Sequence, residues 1–161
     1  MKIGCVSRLS PEKGVDVLIE AIKDLPGVSL EIIGTGPEKF EIPEKVKIID
    51  RVEDLGRFYQ SIDVLVLPSR DHDPFGLVAA EAMTLGTPVI VTDACGIANY
   101  LSNGKDSIVV EAGSKEVLNK AISKLKNSDL RKQIGNAGTK TATEKFSLEK
   151  MIGSYESILA A

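Results

Sequence analysis

The chain has 161 residues, with 20 Lys+Arg against 23 Asp+Glu for a formal net charge of −3, and is 43% hydrophobic and 27% charged. That length suits one compact domain over residues 1–161 rather than two, and the composition excludes disorder. Three Tyr, four Phe and no Trp are too few rings for a base-stacking platform. The mild acidity excludes the basic footprint of a nucleic-acid binder, so no nucleic acid is expected as a partner.

Short β-branched runs alternate with longer stretches whose apolar residues recur at three- and four-residue spacing. This pattern predicts an α/β fold, a Rossmann-like parallel sheet of about six strands flanked by helices. The first strand is expected over Lys2–Ser7. A helix follows from about Lys13 to Asp24, with Val15, Leu18, Ile19 and Ile22 on its buried face and Pro26-Gly27 as its stop. Strands at Ser29–Ile33 and Val46–Ile49 come next, then a helical turn around Asp54–Gln60. The run Val64–Leu67 is wholly apolar, which marks a central strand buried on both faces. Past the RDHDP loop, the reading places a helix over Phe75–Leu85, strands at Pro88–Val91 and Ser107–Val110, and helices over Lys115–Lys126, Ser128–Phe146 and Leu148–Leu159. Ser147 is the N-cap of the last. Asn99, Asn103 and Asp106 read as turn residues.

Cys5 and Cys95 stand far apart without a Cys-x-x-Cys or Cys/His cluster, so both read as small buried hydrophobes of a reducing compartment and no metal site is expected. No run approaches the roughly 18 apolar residues of a membrane span. The chain therefore reads as cytoplasmic.

In an open α/β sheet, ligands bind beyond the carboxyl ends of the strands, so the loops there carry the candidate chemistry. Arg8 and Lys13, in SRLSPEKG, place two cations beside a helix start, a workable phosphate site. Gly34-Thr35-Gly36 gives half of a dinucleotide fingerprint but fails the rest, because Lys39 stands at the third glycine position. The turn serves either a close approach to a ligand or the chain alone. In Asp73-Pro74-Phe75-Gly76-Leu77, Pro74 and Gly76 open a helix whose first N–H groups are free for an anion. Glu81 lies about 8 Å further along that helix, too far from Asp73 for the roughly 5 Å carboxylate pair of a retaining glycosidase. Two acids could grip opposite ends of an elongated ligand with phosphates between them. His72, the one histidine, has no partner at ligand spacing. Arg51 and Arg70 are likewise given no site role.

These segments together, and above all PSRDHDPFGLVAAEAMTLGTPVIVTD, resemble the donor-binding C-terminal domain of the GT-B glycosyltransferases of the retaining family-4 group, over nearly the whole chain. The resemblance implies a nucleotide diphospho-sugar donor and transfer of a hexose, with no metal or other cofactor. Arg8 and Lys13 then neutralise the diphosphate leaving group. Asp73 stands where the family's first acid, usually Glu, meets the donor sugar, and Glu81 matches the second acid, which holds the ribose. The backbone of Phe75, Gly76 and Leu77 contacts sugar and phosphate. Gly34 and Thr35 line the nucleotide, and Val52 lies at the base. Two departures stand out: Asp73 is one methylene short, and Asp50 occupies a position often glycine. Such enzymes are about twice this length, so an N-terminal acceptor domain holding a sugar, lipid or other hydroxyl compound is expected outside the chain, with any contact to the inner membrane face made through it. The alternatives are a non-catalytic nucleotide-binding or assembly module and an epimerase-like domain acting on nucleotide-sugars.

Overall fold

The computed structural model describes residues 1–159. Its centre is a six-stranded parallel sheet of β1 (Lys2–Val6), β2 (Ser29–Ile33), β3 (Val46–Ile49), β4 (Val64–Leu67), β5 (Val89–Thr92) and β6 (Ile108–Val110). The spatial order is β3-β2-β1-β4-β5-β6, the doubly wound arrangement in which the chain reverses direction across the sheet between β1 and β4. β4 is buried at all four positions and sits beside β1 in the middle, as its unbroken apolar run requires.

The two-residue period of the strands sorts their side chains into two cores. Ile3, Cys5, Val64, Val66 and Ile90 pack with Leu18 and Ile22 of α1 (Val15–Ile22) and Leu118 and Ile122 of α4 (Lys115–Lys124). On the other face Leu65, Leu67, Val89 and Val91 meet α2 (Leu55–Ser61), α3 (Leu77–Thr84) and α5 (Ser128–Phe146) through Phe58, Tyr59, Met83 and Ala142. Both cysteines are buried free thiols. Burial pushes the Cys5 thiol up to about 12, which makes it an inert core residue.

The helix starts differ from the sequence expectation for a local reason. Lys13 lies in a 3-10 turn (Pro11–Lys13) and α1 begins at Val15, because Gly14 between them takes φ 64. Likewise α3 begins at Leu77 rather than Phe75, since Gly76 at its N-cap takes φ 94. A left-handed residue cannot continue a right-handed helix, and glycine adopts that conformation without penalty. β5 runs to Thr92, whose hydroxyl donates to the Ser69 carbonyl at 2.7 Å. Asp106 is more than a turn residue: buried, it accepts from the Ser102 N–H at 2.8 Å and the Thr141 hydroxyl at 2.8 Å, tying the β6 entry to α5.

The last helix, α6 (Leu148–Leu159), starts where Ser147 Oγ accepts the Lys150 N–H at 3.2 Å. Its Leu148, Met151, Ile152, Tyr155, Ile158 and Leu159 are all exposed. Their spacing makes one apolar stripe. No helix among the described residues is long and apolar enough to cross a membrane.

Candidate functional site

Strands β1 to β4 all deliver their carboxyl ends to one edge of the sheet, and a two-part cleft opens there. The larger part, about 910 Å³, is walled by Ser7, Arg8, Gly34, Thr35, Asp50, Arg51 and Val52, with Val78 at its floor. The smaller, about 370 Å³, is walled by Arg8, Lys13, Ser69, Asp73, Phe75, Gly76 and Leu77. Val6, Ser7, Arg8 and Val78 belong to both, so the parts are continuous across the β1/β4 switch point.

The cleft's walls are held backbone to backbone. A Cβ on Gly34 would lie 1.9 Å from the Ser7 carbonyl oxygen, and one on Gly36 would lie 2.1 Å from that of Leu9. The Gly-Thr-Gly turn is thus required first by the neighbouring loop of the protein itself. The Leu9 N–H donates to the Thr35 carbonyl at 2.9 Å and completes the seam. On the other side, the loop after β4 is tied to the loop after β5: the Asp73 N–H donates to Ala94, the Gly96 N–H to Asp73 and the Ile97 N–H to Phe75, at 3.0, 2.9 and 2.7 Å. Phe75 is further fixed by edge-on contacts of its ring with Phe146 and Tyr100, at centroid distances of 5.4 and 6.0 Å. Its side chain therefore packs against two other rings.

Each basic residue of the phosphate-side loops is met by a carboxylate. Lys13 Nζ lies 2.7 Å from Asp73 Oδ2, where the Ser69 hydroxyl also approaches at 3.4 Å. Arg8 pairs with Glu12, and Arg70 with Asp16. Ser10 Oγ donates to Glu12 Oε1 at 2.6 Å, and this hydrogen bond, with the residue's own backbone and Arg8 behind it, draws the Glu12 carboxyl down to about 2. Glu12 is a fixed anion there. Glu38, close to Asp16, is shifted upward by burial and by that carboxylate's charge. The backbone N–H groups of Phe75 and Gly76 make no hydrogen bond within the described residues, which leaves donors at the α3 start beside Lys13.

Nine of the ten sequence-derived candidates line this cleft: Arg8, Gly34, Thr35 and Val52 in the larger part, and Lys13, Asp73, Phe75, Gly76 and Leu77 in the smaller, with Arg8 in both. Glu81 lines neither. It sits one turn into α3 beyond Leu77, and its Oε2 accepts the Tyr59 hydroxyl at 2.8 Å. Arg51, given no site role in the sequence, stands in the wall of the larger part. His72 is exposed and lines neither. Sequence reasoning missed Ser10, Glu12, Tyr59 and Ser69, whose parts depend on contacts; only the spacing of Glu12 from Arg8, an i,i+4 pair, was a readable signal.

A cleft at the switch point of a doubly wound parallel sheet is where Rossmann-like domains take their ligands, and this chain is a domain of that class. It belongs to the glycosyl transferases group 1 family, whose model matches residues 1–141. Among curated relatives, the lipopolysaccharide core biosynthesis glycosyltransferase LpsE of Rhizobium meliloti is 30% identical over 166 residues, covering 97% of this chain and 48% of its own. Among solved structures, Anabaena HepE in complex with UDP superposes with a TM-score of 0.90 at 22% identity, over 99% of this chain and 48% of that one. The C-terminal domain of the group 1 glycosyltransferase LpcC from Francisella tularensis gives 0.81 at 24% identity, over 91% of this chain and 86% of that one. The sheet and its flanking helices are thus those of a GT-B domain. The chain spans about half the length of the curated relatives it matches.

Proposed function

We propose that the chain is the donor-binding domain of a retaining glycosyltransferase that moves a hexose from a nucleotide diphospho-sugar to a hydroxyl acceptor. The observation that carries this reading is the convergence of Arg8, Lys13 and the α3 start on one continuous cleft. The solved UDP complex of HepE, whose fold matches almost the whole chain, supports the nucleotide assignment. The diphosphate lies between Arg8, Lys13 and the N–H groups of Phe75 and Gly76, with the nucleoside in the larger part against Gly34, Thr35 and Val52. Glu81, outside the lining of both parts, meets the ribose from α3, and Asp73 faces the sugar.

As the bond from the sugar to the diphosphate breaks, negative charge grows on the leaving oxygen. Cations and helix N–H groups already in place stabilise it without reorganising. The acceptor hydroxyl attacks from the face that the leaving group vacates and gives its proton to the departing diphosphate oxygen, which retains the anomeric configuration. The counter-charges are the Arg8 and Lys13 side chains and the backbone N–H groups at the α3 start. The acceptor comes from a second domain in the other half of the two-domain length, and the exposed stripe of α6 is the face that half covers. The chain alone binds donor and does not transfer.

Calorimetry of the chain against UDP, GDP, ADP and their hexose conjugates tests the reading. One diphosphate binds, and Arg8→Ala or Lys13→Ala each weakens it by roughly 1.5–3 kcal/mol, the range of charged hydrogen bonds. Affinity unchanged in both variants, or no binding by the folded chain, defeats the assignment.

A further inference from the structure

We infer that Ser10 and Glu12 are positioning residues that aim the Arg8 guanidinium into the cleft, an inference that rests on the donor-site reading above. Arg8 is a long side chain, 67% exposed, in the lining of both parts of the cleft. An unrestrained arginine there would lose much rotamer freedom on meeting a diphosphate.

The structure removes that freedom beforehand through a closed ring of three groups. Arg8 Nε–H donates to Ser10 Oγ at 3.2 Å, Ser10 Oγ–H donates to Glu12 Oε1 at 2.6 Å, and Arg8 Nη2–H donates to the same Glu12 oxygen. Ser10 anchors the ring, being only 5% exposed at the N-cap of the 3-10 turn. The remaining guanidinium N–H groups are left for a ligand, since the ring engages only Nε and one Nη2 hydrogen. Glu12 also ties the ring to the opposite loop, because its carbonyl accepts the Arg70 N–H at 2.8 Å and the Asp71 N–H at 3.4 Å. The next residue, Lys13, then reaches Asp73. One short turn thereby sets both cations relative to each other.

A carboxylate beside a phosphate-binding arginine has two opposed effects. As a counter-charge it weakens anion binding; as a fixed acceptor it orders the arginine and strengthens binding. The ring geometry favours the second, because Glu12 engages the guanidinium edge that Ser10 also holds.

The sign of the effect is measurable. The chain and its Arg8→Ala, Glu12→Gln, Ser10→Ala and Arg8→Ala/Glu12→Gln variants are titrated with UDP, GDP and ADP and with the matching nucleosides. Glu12→Gln keeps the backbone bonds of residue 12 and is expected to weaken the preferred diphosphate about three- to tenfold, less than the loss of a charged hydrogen bond because Arg8 keeps its charge and loses only its aim, with nucleoside affinity unchanged. In the Arg8→Ala background it has no further effect, because interacting residues are non-additive. A general structural role would instead add to the Arg8→Ala loss. If Glu12→Gln does not fold, Ser10→Ala carries the same cycle. Loss in Arg8→Ala with unchanged or tighter binding in Glu12→Gln overturns the positioning role and leaves the donor site standing. An Arg8→Ala variant that binds like the parent overturns the donor-site reading, and the inference with it.

Discussion

Lys13 Nζ and Asp73 Oδ2, 60 positions apart in the chain, meet at 2.7 Å across the switch point, with side chains only 21% and 14% exposed. The pair joins the loop after β1 to the loop after β4, and the Asp73 carboxylate is turned to Lys13 and Ser69. Lys13→Ala leaves a half-buried carboxylate uncompensated. Its expected cost in denaturant unfolding is about 1–3 kcal/mol, between the values for exposed and fully buried pairs. A Lys13→Ala/Asp73→Ala double variant recovers part of the loss, because it removes the orphaned charge. Equal stability of Lys13→Ala and the parent contradicts the pairing.

The sheet was legible because its causes are local. Alternation of β-branched runs with helical spacing marked the strands, and the unbroken Val64–Leu67 run placed β4 at the centre. The cleft was legible because any loop at a strand's carboxyl end in this topology faces it. Helix starts were missed by two residues where Gly14 and Gly76 take left-handed backbone, a choice glycine permits but does not announce. The partners of the cations were not legible for Lys13, because folding alone brings Asp73 to it. The Glu81 contact was hidden in the same way, since Tyr59 comes from a helix on the far side of β4 in sequence.

Tyr59 is 1% exposed, yet its hydroxyl reaches Glu81 Oε2 at 2.8 Å. Burial, reinforced by the bond to Glu81, pushes the phenol's titration well up, so it remains a donor at all ordinary pH. Tyr59→Phe keeps the ring and releases the carboxylate. Stability should fall by about 1 kcal/mol, since water can replace the lost donor at an exposed acid. If Glu81 holds the ribose, UDP affinity falls while affinity for inorganic pyrophosphate does not, as calorimetry with both probes would read. Equal losses for the two probes would remove Glu81 from the nucleoside side.

The Glu12 carboxyl is drawn from its ordinary 4.5 to about 2, chiefly by the Ser10 hydroxyl. A depressed folded value means that its contribution to stability is complete above pH 4.5 and is lost as pH falls toward about 2. A carbon-detected NMR titration should place the Glu12 carboxyl far below the ordinary glutamate value of 4.5. In Ser10→Ala its midpoint should move upward, because the largest cause of the shift is gone. A parent midpoint in the ordinary glutamate range would show that the ring with Ser10 and Arg8 does not persist in solution.

The apolar stripe of α6 is exposed from Leu148 to Leu159. Met151, Tyr155 and Ile158 face a groove of about 480 Å³ whose other wall includes Leu77 and Tyr100, and all five side chains are exposed. A contiguous apolar surface of this kind marks an interaction site in a folded protein. In the proposed two-domain enzyme the other half covers it, so the chain alone should associate with itself as concentration rises. Sedimentation velocity reads this directly, and Tyr155→Lys/Ile158→Lys should return the chain to monomer without altering UDP binding, because neither residue lines the donor cleft. Tethering the other half should suppress association of the parent to the same degree. A parent chain that stays monomeric at every concentration, with or without that half, would mean that the stripe is not an interdomain face.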